Sequence, residues 1–175
     1  QTIARHPEWA LDHRRLLRTI DLKAGTIVID GVPHALRDRD FPTLDPDNPE
    51  ALSADEQLCL DRMRMSFLSS RLRWDHARFL VSHGASWLKR DDHLIFHGCV
   101  PVDETGNFLP LTIDGEPRRG RALFDAVDDV VVRALNHRAP DDLDFLWYLW
   151  SGPLSPMFGK DRITTLERDQ IGRAS

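Results

Sequence analysis

Two Asp-Gly pairs, each set between short β-prone runs, constrain this chain more than any other feature. Thr26-Ile27-Val28-Ile29 runs into Asp30-Gly31 and leaves through Val32 to Leu36. Leu111-Thr112-Ile113 runs into Asp114-Gly115 and continues from Glu116. A two-residue turn with positive φ at both positions selects Asp-Gly, so both segments are expected to be hairpins. The segments 29–33 and 113–117 resemble each other, and shared turn chemistry accounts for that without an internal repeat. Ala85 to Leu88 and Leu94 to Phe96 read as a third hairpin around the polar turn Lys89-Arg90-Asp91-Asp92.

The rest of the pattern is helical or extended. After Pro7, residues 8–20 read as a short amphipathic helix with Trp9, Leu16, Leu17 and Ile20 on one face. Residues 38–52 hold Pro42, Pro46 and Pro49, so they form an extended connector that Phe41 and Leu44 anchor to a core. Ser53 and Glu56 make a capping box that opens the longest helix. Leu60, Met63, Phe67, Trp74, Ala77 and Val81 follow at helical steps towards a C-cap at Gly84, with Ser69-Ser70 as a point of bending or splitting. The Met63 and Met65 pair reads as core filling. Residues 121–136 read as a helix with Leu123, Val127, Val130, Val131 and Ala134 on one side. A last helix starts at Asp141 and Asp142, read as capping residues, and runs to Trp150. It is apolar nearly all round and is expected to be buried. The class expected is α+β, with residues 1–175 as a single or an incomplete domain.

Composition narrows the partners. The net charge is −5, with both signs spread along the chain, which disfavours a nucleic-acid surface or an anionic membrane. A local Arg and Lys cluster is enough to hold a small anion. No apolar run approaches the roughly 18 residues that cross a bilayer. The two cysteines, Cys59 and Cys99, form no CxxC pair and read as reduced and structural, which fits a cytoplasmic setting.

Chemistry is concentrated in His93-Leu94-Ile95-Phe96-His97-Gly98-Cys99. On a helix, histidines four apart share a metal; on a strand they lie about 13 Å apart and do not. His97 is the better ligand candidate, because Gly98 lets the backbone turn sharply beside an ion. Spacing alone favours a hydrogen-bonded histidine at a strand end. Gly159-Lys160-Asp161-Arg162, with Arg168, is a candidate phosphate contact or an ordinary solvated turn. The same two readings apply to Arg118-Arg119-Gly120-Arg121 at a helix start. The pairs Asp91-Asp92, Asp128-Asp129 and Asp141-Asp142 lack the arrangement of a general acid-base pair.

Three stretches together resemble one family. They are Leu94 to Pro101, Trp147 to Asp161, and Thr164-Thr165-Leu166-Glu167-Arg168. Each is similar to a signature of the class III fructose-1,6-bisphosphatases, and Phe41-Pro42-Thr43 fits as well. The resemblance runs from about Arg5 to Arg168. It implies a calcineurin-like metallophosphoesterase: a β-sandwich flanked by helices and a two-metal centre, usually manganese. It also implies hydrolysis of fructose 1,6-bisphosphate to fructose 6-phosphate in gluconeogenesis. By resemblance, His97 is a metal ligand, and Lys160, Arg162 and Arg168 contact the sugar phosphates. The superfamily's GDxxDRG, GNHD and GHxxV motifs do not occur, and Gly106-Asn107 is followed by Phe108. The chain is therefore expected to be an interior part of a larger phosphatase and inactive alone. Its bare apolar faces favour self-association. The alternatives are another phosphatase of the superfamily and a non-catalytic binding or regulatory module.

Overall fold

A computed structural model describes residues 1–158. In chain order the elements are α1 (Thr2–Arg5), β1 (Ile20–Asp21), β2 (Thr26–Ile29), β3 (Val32–Ala35), α2 (Ala54–Ser69), α3 (Arg71–His83), β4 (Trp87–Arg90), β5 (His93–Phe96), β6 (Leu111–Ile113), β7 (Glu116–Arg118), α4 (Gly120–His137) and α5 (Pro140–Ser151). Among the described residues the strands form three small antiparallel sheets, β1-β2-β3, β4-β5 and β6-β7. Helices and sheets together make the class α+β, as expected. The described residues fall into two compact units divided after Ser70.

In the first unit the expected helix over residues 8–20 does not form. Three single 3-10 turns take its place, Pro7–Trp9, Asp12–Arg14 and Leu16–Thr19, and Ile20 enters β1 instead. Ala10 sits at φ 52, a left-handed conformation that ends a helical run, and no side chain caps any of these turns. The buried side chain here is Leu11, which lies off the expected apolar face. β2 and β3 pair as the Asp-Gly signal requires, with Ile29 opposite Val32 and Ile27 opposite His34. Asp30 and Gly31 both have positive φ, 52 and 78. Alternation along β2 buries Ile27 and Ile29 with Leu36, and Leu16, Ile20 and Phe41 pack against them.

Residues 38–52 contain no helix or strand. Aspartate turns shape them: Asp40 N donates to Asp38 Oδ1 and Asp47 N to Asp45 Oδ1, both at 2.9 Å. Glu50 accepts from Arg15 and Arg18, which ties the connector back to the start of the chain. The capping box forms as expected. Ser53 N donates to Glu56 Oε2 at 2.7 Å, and Glu56 N donates to Ser53 Oγ at 3.3 Å.

The long helix splits at Ser70, which is extended (φ −78, ψ 101) and divides α2 from α3. Its expected core positions are not a core. Neither α2 nor α3 has a buried residue, and Met63, Met65 and Phe67 are exposed.

The second unit has the larger core. α4 buries Leu123, Phe124, Val127, Val130 and Ala134, one stripe at helical spacing. Leu111 and Ile113 of β6 are buried, as are Phe145, Tyr148 and Leu149 of α5. α5 is not buried all round: Leu143 and Trp147 are exposed, and Trp150 is 79% exposed. Nor do Asp141 and Asp142 cap it by side chain; Ala139 is the N-cap and Pro140 opens the helix. Asp142 instead accepts from Arg133 Nη2 at 2.8 Å, and the same nitrogen reaches Asp114 at 2.9 Å. One guanidinium thus joins the β6-β7 turn, α4 and α5. In the β4-β5 hairpin the turn shrinks to Asp91-Asp92, because Lys89 pairs with Leu94 and Arg90 with His93.

Candidate functional site

The second unit carries the candidate site at the end of β5. Its supporting hairpin is fixed to α4 by polar contacts. Ser86 N donates to Asp128 Oδ1 at 2.7 Å and Ser86 Oγ to the Phe124 carbonyl at 3.1 Å. Trp87 Nε1 donates to Asp125 Oδ1 at 2.9 Å, and the Arg121 guanidinium lies 5.0 Å over the Trp87 ring. Asp125 and Asp128 thereby hold β4, and β4 holds β5 through the Trp87–Phe96 pair. Arg121 also reaches Asp125 at 3.3 Å, so this arginine of the basic run is engaged within the protein.

His97 follows the last residue of β5, and His93 opens the same strand. Beyond the strand, residues 97–99 run against residues 155–157. His97 Nδ1 lies 2.9 Å from the Met157 carbonyl oxygen. Gly98 N and Cys99 N both donate to the Pro156 carbonyl, at 3.1 and 3.0 Å. Cys99 Sγ lies 3.5 Å from the Ser155 carbonyl. Three successive carbonyls therefore receive donors from three successive residues. The two segments come from separate stretches that carry the family resemblance.

This geometry changes the reason for Gly98. Its backbone is not in the left-handed region, so a turn beside an ion is not what selects glycine. Close approach selects it: a Cβ at this position would lie 2.5 Å from Pro156 O and 2.9 Å from Met157 C. Gly152, at the end of α5, is selected in the same way, because a Cβ there would collide with the Tyr148 ring.

A carbonyl can only accept, so the hydrogen bond places the ring proton on Nδ1 and leaves the lone pair of the neutral imidazole on Nε2. That is the form in which an outer carbonyl orients a metal-binding histidine. Burial pushes the Cys99 thiol up, so it stays protonated at neutral pH and acts as a filler rather than a nucleophile. Cys59 is exposed on α2 and is also a free thiol.

The segment just beyond is a self-contained loop. Asp103 accepts from the Thr105 hydroxyl at 2.8 Å, from Thr105 N and Asn107 N at 2.9 Å, and from Asn107 Nδ2 at 3.1 Å. These bonds, from the Thr105 hydroxyl above all, hold the Asp103 carboxyl down at about 2. Gly106 sits at φ 85, and Asn107 serves this turn.

Among the described residues no group of three or more His, Cys, Asp or Glu is placed to hold a metal ion. His97 is thus one oriented imidazole, a fit to one ligand position. Lys160, Arg162 and Arg168 lie outside the described residues. No helix among the described residues is long and apolar enough to cross a membrane. Sequence reading missed Ser86 and the roles of Asp128 and Ser155, whose contacts are with residues distant in the chain or with backbone.

Comparison with known proteins agrees with the resemblance. Residues 1–174 match the family described as Firmicute fructose-1,6-bisphosphatase. The chain is 39% identical over 173 residues to the fructose-1,6-bisphosphatase class 3 of Clostridium acetobutylicum, covering 96% of this chain and 26% of that protein. It is 41% identical over 172 residues to a class 3 enzyme of Clostridium beijerinckii, with the same coverage of both. Against that of Latilactobacillus sakei it is 40% identical over 169 residues, covering 95% of this chain and 26% of the relative. The chain thus spans about a quarter of the length of the curated relatives it matches. No solved structure matches. The same residues that set the strand end against the Ser155–Met157 turn lie within the matched span, and the chain belongs to the Firmicute fructose-1,6-bisphosphatase family.

Proposed function

We propose that this chain is the part of a fructose-1,6-bisphosphatase that contributes the metal ligand His97. The reaction is hydrolysis of fructose 1,6-bisphosphate to fructose 6-phosphate and phosphate, a gluconeogenic step. The observation that carries the site assignment is the bond from His97 Nδ1 to the Met157 carbonyl. It joins two family-like stretches and leaves Nε2 with its lone pair, which supports a ligand role. Such a centre needs ligands from several loops, and in this reading the others come from the length of the relatives that this chain does not cover. The small sheets are then parts of a metallophosphoesterase-like sandwich flanked by helices. The setting is the cytoplasm.

Two manganese ions, when bound, supply a water of lowered pKa and neutralise phosphate charge. The chain's own residues contribute one part of the site. His97 offers a neutral ring nitrogen in a fixed orientation. Gly98 lets the strand end close on residues 156–157, and Cys99 stays a neutral thiol beneath it. Lys160 and Arg162, and less so Arg168, are assigned to the sugar phosphates on their charge and place in the family-like stretch. Alone, the chain is expected to bind divalent metal weakly and to release no phosphate.

A chimera tests this reading. The corresponding quarter of the Clostridium acetobutylicum enzyme is replaced by this chain, and phosphate release from fructose 1,6-bisphosphate is measured with manganese. Activity is expected, with a loss of roughly 100-fold or more for His97→Ala. A folded chimera indifferent to His97→Ala would sink the site assignment. A folded chimera that releases no phosphate counts against the substrate.

A further inference from the structure

We infer that Ser155 is the positioning residue of His97, acting through the backbone of Met157 to fix the imidazole in its Nδ1–H tautomer. The inference rests on the reading of His97 as a ligand for its purpose, though not for its geometry.

Ser155 is fully buried. Its hydroxyl donates to the Leu149 carbonyl at 2.7 Å and accepts from Met157 N at 3.1 Å. One end of that bridge is the last turn of α5, and the other is the Pro156–Met157 peptide, one bond before the Met157 carbonyl that faces His97. The Ser155 carbonyl also accepts from Phe158 N at 3.3 Å, and Ser155 N donates to the Gly152 carbonyl at 3.1 Å. Both backbone polar groups and the side chain of this residue are thus engaged in shaping one turn. Pro156, also fully buried, follows it and carries the carbonyl that takes Gly98 N and Cys99 N.

The consequence is specific. The Met157 carbonyl lies 2.9 Å from His97 Nδ1, and the same residue is anchored through its N–H by the buried Ser155 hydroxyl. Remove the hydroxyl, and the buried Leu149 carbonyl and the part-buried Met157 N each lose a partner. The turn can then shift, and the ring is no longer held to the Nδ1–H form. Free histidine in water prefers the other tautomer, with its proton on Nε2, which would block the nitrogen a cation needs.

The test reads the tautomer itself. The chain is labelled with 15N-histidine, and two-bond 1H–15N correlations are recorded at alkaline pH. His97 is expected to show a protonated Nδ1 and an unprotonated Nε2. An Nε2–H tautomer in the unsubstituted chain overturns the inference by itself. In Ser155→Ala, His97 is expected to shift towards Nε2–H, whereas Pro153→Ala, on the exposed side of the turn, leaves it unchanged. A folded Ser155→Ala chain that keeps Nδ1–H also overturns the inference. If Ser155→Ala does not fold, Ser155→Cys, with a weaker donor of similar size, is read in the same way.

Manganese added to the same samples separates this inference from the metal reading. Paramagnetic broadening of the His97 ring signals is expected to need roughly 10-fold more manganese in Ser155→Ala than in the parent. An Nδ1–H ring that manganese never broadens would retain the positioning role and discard the ligand.

Discussion

Helices α2 and α4 are close in length, 16 and 18 residues, and they begin in opposite ways. α2 has a complete capping box, acidic residues in its first turn, and Thr43 donating to the capping Glu56 at 2.7 Å. α4 has no side-chain cap, and it starts at a glycine with φ 51. Yet α4 buries a stripe of apolar side chains and α2 buries none. Local signals decide where a helix begins; the company it finds decides what it is worth. In α2 the apolar residues fall on two sides, with Leu58 and Met65 on one and Leu60, Met63 and Phe67 on the other. Such a helix offers no single face to one neighbour.

The largest test of this contrast is truncation. Leu123→Ala in α4 removes a side chain that is 0% exposed, and a loss of about 2–5 kcal/mol is expected in urea unfolding of the second unit. Leu60→Ala in α2, at 48% exposure, is expected to cost less than about 0.5 kcal/mol. Equal losses would break the comparison.

A smaller effect comes from the cap. Ser53→Ala is expected to cost about 1 kcal/mol, read as faster amide exchange in the first turn of α2. That would exceed the effect of any single apolar truncation in the same helix. No change in exchange would mean that the capping box is ornamental.

The smallest effect is a pH dependence confined to the first unit. The hydrogen bonds from Arg15, and then those from Arg18, hold the Glu50 carboxyl down at about 2, against an ordinary value of about 4.5. A carboxylate with a depressed folded pKa stabilises the fold above its unfolded value, and the gain is lost as pH falls through the folded one. The parent is therefore expected to exceed Glu50→Gln in unfolding midpoint at pH 7. The gap should close between about pH 4.5 and pH 2. A gap that widens on acidification contradicts the pairing. The second unit has its own bridge at Arg133, whose guanidinium is raised chiefly by its bond to Asp142. Glu50→Gln is expected to leave that bridge untouched.

Legibility from sequence follows the range of the forces. The hairpins at Asp30-Gly31 and Asp114-Gly115, the capping box at Ser53, and α4 with its stripe were all readable, because each is set within a few residues. The helix over 8–20 was misread, since Ala10 turns left-handed where periodicity alone continues a helix. Burial of α2, α3 and the outer side of α5 was overestimated, because apolar spacing records a preference and not the presence of a neighbour. At the site, the His97-Gly98 pair was visible and its reason was not. Only the position of Pro156 shows why residue 98 lacks a side chain. Ser155 stood inside the family-like stretch, but its role was not readable, since a buried hydroxyl is spelled the same way as an exposed one.

What His97 takes from Met157 is a carbonyl oxygen, which every amino acid has. The methionine side chain is therefore interchangeable as far as the imidazole is concerned. The sequence freedom lost to this contact is charged to its neighbours, to the missing side chain at 98 and to the hydroxyl at 155. A catalogue of substitutions tolerated around His97 would find position 157 permissive while its peptide group stayed indispensable.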